Sequence, residues 1–126
     1  MDAAWNKGLD VFDQVYGPGS RDMVRDSTDS IFTGEIVRHV FGEVWAMPHL
    51  SVRDKRLLVI GATAMLGRPD LIAIQVAGGL ANNEFTDEQL EEIAVLMLVY
   101  AGAGNASVLR AAFTSAKERA AAMKAA

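Results

Sequence analysis

Three stretches of this chain, LLVIGATAML at 57–66, LIAIQVAGGLA at 71–81 and IAVLMLVYAGA at 93–103, are apolar almost all the way round a helix. A helix without a polar face has to be covered on every side. A chain of 126 residues has room for about one helix in such a central position. Three of them predict that other copies of the chain cover the remaining faces, so a homo-oligomer is expected. The longest unbroken run of apolar residues and glycines, 93–104, has 12 residues, against the ~20 needed to cross a bilayer.

The rest of the sequence punctuates these helices. Residues 2–16 carry Leu9, Phe12 and Val15 on one stripe and stop at GPGS, where glycine and proline oppose continuation. Residues 21–32 are polar and read as a short helix and a loop. Ile36, Val40, Phe41 and Val44 recur at helical spacing and predict a helix over 35–46, broken at Pro48. Ser51 reads as an N-cap, with Asp54 favouring the positive helix end. Pro69 suits the first turn of the next helix, and Thr86 with Gln89 forms a capping box. GAGNAS at 102–107 reads as a turn with Asn105 as N-cap, followed by a helix from 106 to about 117. That helix continues into the tail KERAAAMKAA, a good helix former with little apolar pattern, whose end is expected to fray. No stretch alternates with strand period. The expectation is an all-α, single-domain chain over 1–126, an orthogonal bundle of about six helices.

Charge and composition narrow the function. The net charge is −4 and the pI about 5.1, which argues against nucleic acid or an anionic membrane surface as partner. There is no cysteine, so thiolate, iron–sulfur and cysteine–zinc chemistry are excluded for this chain. No leader-like apolar segment opens the sequence, and a cytoplasmic setting is expected.

The order of several short motifs resembles the carboxymuconolactone decarboxylase family, whose relatives include alkylhydroperoxidase D-like proteins. The marks are Gly42 to Trp45 at a helix end, then Pro48, Leu50, Arg53 and Arg56. The turn Leu66-Gly67-Arg68, the helix start from Thr86 to Glu92 and the turn Tyr100 to Gly102 follow. They cover residues 41–106. The resemblance implies helical subunits assembled as trimers or hexamers, with pockets near subunit interfaces. It also marks departures. The cysteine positions of peroxidase-type relatives fall near Pro69 and Ile72, so thiol peroxidase activity is ruled out. Counted back from Thr86, the family histidine falls on Val76, beside Gln75, and the family's glycine before the cap is Glu84.

Candidate site residues follow from chemistry. Glu43 and His39 lie four apart on one helix face and are the candidate proton-transfer pair. Arg53 and Arg56 are candidates for binding a substrate carboxylate. Gln75, Trp45 and Tyr100 are further binding candidates. Gln75 in an apolar run either meets a ligand or is satisfied by protein. Gly78 and Gly79 each cost a helix about 1 kcal/mol relative to alanine, so another helix or a ligand must come close there. No metal site and no cofactor are expected. Two functions remain open. One is a cofactor-free decarboxylase, isomerase or hydrolase acting on a small carboxylated or lactone-like molecule. The other is a catalytically inactive oligomeric ligand-binding or accessory protein.

Overall fold

A computed structural model describes residues 2–126, among which there are six longer helices, one short 3₁₀ turn at Ser20–Met23 and no strand. α1 is Ala3–Tyr16. α2 opens with an α-helical turn at Ile31–Gly34 and continues as a π-helix over Glu35–Val44. α3 is Val52–Met65, α4 Pro69–Ala81, α5 Asp87–Ala101 and α6 Ala103–Ala125. The all-α reading with six helices holds. So do the caps: Ser51 Oγ accepts from the Asp54 amide at 3.0 Å, and both bonds of the Thr86–Gln89 box are made. Among the described residues no helix is long and apolar enough to cross a membrane.

Two helix starts differ from the sequence expectation. α2 starts four residues earlier, because the Ser30 hydroxyl accepts from the Thr33 amide at 3.1 Å and caps an extra turn. That turn exposes Ile31 and Phe32, so no amphipathic pattern announces it. α6 starts at Ala103, directly after Gly102 turns the chain at φ 90°. Asn105 is therefore inside α6 and does not cap it. Its amide nitrogen donates to the Ala101 carbonyl at 3.1 Å and closes the end of α5 instead.

The tail of α6 stays helical to Ala125 because it has a buried face made of small residues. Ala112, Ala116 and Ala120 lie on it with Leu109 and Phe113. Alanines give little hydrophobic contrast in a sequence, yet they let α6 lie close against α4. Burial by the fold overrides the weak pattern.

α4 occupies the middle of the bundle, against α1, α3 and α6. Its Ile72, Val76 and Ala77 have no exposed surface. Burying an Ile or Val side chain contributes about 1.5–3 kcal/mol. A second cluster joins α1 to α2 through Phe12, Phe41 and Trp45, with the Phe12 and Phe41 rings edge to face at 4.9 Å. Of the three all-apolar helices, only α4 is covered by its own chain. α3 leaves Leu58, Met65 and Leu66 exposed, and α5 leaves Val95, Leu96, Val99 and Tyr100 exposed.

Candidate functional site

The polar centre of the molecule is Arg56, which has no exposed surface although it is charged. A buried charge is tolerated only when it is paired and its donors are satisfied. Arg56 Nε donates to Glu84 Oε1 at 2.7 Å and Nη2 donates to Glu84 Oε2 at 3.1 Å. That is the two-pronged geometry in which a guanidinium binds a carboxylate most strongly. The other side of the fork faces protein carbonyls. Nη1 donates to the Val15 carbonyl, to the Gln75 carbonyl at 3.0 Å and to Gln75 Oε1 at 3.3 Å. Nη2 also reaches the Gln14 carbonyl at 3.5 Å. All five N–H groups of the guanidinium thus have acceptors within the chain.

The surroundings are built to let this happen. Gln14 and Val15 are in the last turn of α1, where helix carbonyls lack intrahelical partners and carry the negative end of the dipole. Arg56 supplies the missing donors, and Asn82 Nδ2 adds another to the Gln14 carbonyl at 2.6 Å. The two glycines of α4 make room. A Cβ at Gly78 would lie 1.9 Å from the Val15 carbonyl oxygen and 2.9 Å from Arg56 Nη1. A Cβ at Gly79 would lie 2.6 Å from the Phe85 ring and 2.9 Å from Arg56 Cδ. The close neighbours of these glycines are therefore α1, the Phe85 ring and the arginine. Nearby, burial pushes the Tyr16 hydroxyl above its ordinary pKa of 10.0, with the Arg56 charge pulling the other way.

The residues expected at a site fall into separate places. Arg56 and Gln75 meet, and the side-chain oxygen of Gln75 accepts from the donor-only guanidinium at 3.3 Å. Arg53 is half-buried over the Phe85 ring at 5.2 Å, and its Nε donates to the Glu84 carbonyl at 3.1 Å. Trp45 is buried and stacked on Phe41 at 6.2 Å, and its carbonyl accepts from Lys55 at 2.9 Å. His39 and Glu43 form a pair at 3.4 Å on the outer face of α2, with side chains 54% and 69% exposed. Tyr100 is exposed on α5. The proton-transfer pair and the arginine do not converge within one chain. A groove of about 630 Å³ between α5 and α6 is lined by other residues, among them Glu91, Ser107, Arg110 and Thr114.

Sequence reasoning missed the carboxylate that matters. Glu84 stands out in the sequence only as an acid where a glycine is usual, and its partner is 28 residues away. The backbone does need a left-handed residue between α4 and α5, but that residue is Asn83, at φ 57°. Asparagine is among the few non-glycine residues that adopt this conformation readily.

The sequence pattern that defines the carboxymuconolactone decarboxylase family matches residues 33–124. No curated protein shows a significant sequence match to the chain.

Proposed function

Because the chain belongs to the carboxymuconolactone decarboxylase family, we propose that it is an oligomeric member of that family whose buried arginine is structural, acting as a ligand-binding or accessory protein without turnover of its own. The observation that carries this reading is the full commitment of Arg56. Every donor of this buried cation is used by Glu84, Gln75 and the end of α1, leaving none for a substrate carboxylate. The candidate proton-transfer pair, His39 and Glu43, lies apart from it on the outer face of α2. The loop register agrees. If Asn83 takes the place of the family glycine, the histidine position moves from Val76 to Gln75, whose amide cannot exchange protons near neutral pH. Assembly through the exposed apolar stripes of α3 and α5 is part of the same proposal, since single chains rarely leave such faces to water. Trimers or hexamers are the forms that the family resemblance implies.

The test is a screen of purified protein against small carboxylates and lactones, followed by both product formation and calorimetric binding. Saturable binding without product is expected, and measurable turnover overturns the reading. One observation favours the alternative, a cofactor-free decarboxylase, isomerase or hydrolase. His39 and Glu43 are paired, accessible and flanked by exposed Val44 and Met47. If turnover is found, Glu43→Gln and His39→Gln should each abolish it.

A further inference from the structure

Arg56 offers a planar fork of donors, and the ligand that matches such a fork is a carboxylate. In this chain the carboxylate comes from the loop between α4 and α5. We propose that the Arg56 fork is a carboxylate-binding site that the chain fills with its own Glu84, and that a small monocarboxylate takes the place of that side chain once it is removed. This rests on Arg56 being committed within the chain, and it names the ligand that the pocket around it selects.

Three features carry the inference. The two partners are held differently. Arg56 is fixed within α3 and clamped by Gln75, Val15 and Gln14, whereas Glu84 belongs to neither helix and follows the left-handed Asn83. The site also opens outward on the glutamate side. The Glu84 side chain is 10% exposed and borders a groove of about 530 Å³, while Arg56 behind it is closed off from solvent. Finally, the groove carries a cation that no acid among the described residues holds. Two lysines line it; Lys117 pairs with Asp87 at 3.1 Å, whereas Lys124 donates to the neutral Asn83 amide oxygen at 3.0 Å. The carboxylate in place is received by three donors, two from Arg56 and Asn82 Nδ2 at 3.3 Å.

The size of the expected ligand follows from the side chain it replaces. Glu84→Ala deletes Cγ, Cδ and both oxygens, which are the heavy atoms of acetate. Glu84→Gly deletes Cβ as well, which leaves the outline of propionate. The experiment is thermal unfolding of the full-length chain in sodium acetate, sodium propionate or sodium chloride at equal ionic strength and neutral pH. Glu84→Ala should unfold on the order of 10 °C below the parent, because its arginine is left buried and unpaired. Acetate at ~100 mM should restore about 5 °C that chloride does not. Propionate should be the better rescuer of Glu84→Gly. The parent, already filled, should not respond. Glu84→Gln keeps the volume and blocks the site, so it should be destabilised but not rescued. If Glu84→Ala does not regain helix on dilution from urea, dilution into acetate becomes the readout, and recovery there supports the proposal. Equal effects of acetate and chloride, an equal response of the parent, or no recovery in acetate overturn it. These outcomes are separate from turnover: a productive substrate in the screen above would sink the non-catalytic reading and leave the rescue result standing.

Discussion

Gly78→Ala tests the packing at the centre of the molecule. On propensity alone the change should help, since alanine favours a helix interior by about 1 kcal/mol over glycine. The structure reverses the sign. The new Cβ would sit 1.9 Å from the Val15 carbonyl oxygen, where ordinary contact begins at 3.4 Å. The obstacle is backbone at the end of a helix, so it cannot rotate aside as a side chain would. α1 and α4 must separate by more than about 1 Å, and overpacking of this kind costs about 1–3 kcal/mol. The retreat also pulls the Val15 and Gln14 carbonyls from Arg56. Hydrogen bonds to a charged group contribute about 1.5–3 kcal/mol each. With the propensity gain offset against these, a net loss of about 2–5 kcal/mol is expected, or about 8–20 °C in midpoint. Urea unfolding followed by circular dichroism, at fixed protein concentration, measures it. Gly104→Ala is the control. It lies in the first turn of α6 with nothing within 4 Å of a Cβ, and should gain about 0.5 kcal/mol. If Gly78→Ala is as stable as the parent, α1 does not press on α4 as described.

Charging the apolar stripe of α5 with Leu96→Glu and Val99→Glu together should leave the helix content intact. It should convert the assembly to monomers in sedimentation, and a parent that is already monomeric at micromolar concentration refutes the assembly reading. The Trp5 amide donates to the Asp2 carboxylate, with Arg38 adding to it, and these hold its pKa below 3.8. The stability it adds is therefore present above pH 3.8 and lost as the pH falls through the lowered value. Asp2→Ala should be less stable than the parent at pH 7 and converge with it in strong acid, as followed by unfolding midpoints across pH. Tyr16 is held neutral by burial, so its share of stability is whole below pH 10.0 and lost as the pH rises through its raised value. Difference absorbance between parent and Tyr16→Phe at 295 nm should show that phenol ionising above pH 10.0, and a midpoint at or below it contradicts the burial argument.

The sequence by itself determined the secondary structure and much of its punctuation. Helical periodicity, the Ser51 and Thr86 caps and Pro69 act over one turn, so local residues suffice to read them. Sequence also established that no thiol chemistry is available, since that depends only on which residues exist. The motif order pointed to the family that the wider match over 33–124 established. What depended on long-range packing was not legible. Three apolar helices look alike in sequence, and only the bundle decides that α4 is the one its own chain surrounds. The buried face of α6 was hidden because alanines pack closely while adding little hydrophobic contrast. Gln75 and the glycines announced that something approaches α4. That it is Arg56, the end of α1 and the Phe85 ring is a matter of tertiary contact across 19 residues in one case and 41 in another. Whether an arginine is a ligand's anchor or the chain's own clasp depends on which acceptors the fold brings within about 3 Å. Here that acceptor is Glu84, an acid in a loop, and sequence spacing carries no signal for such a pairing.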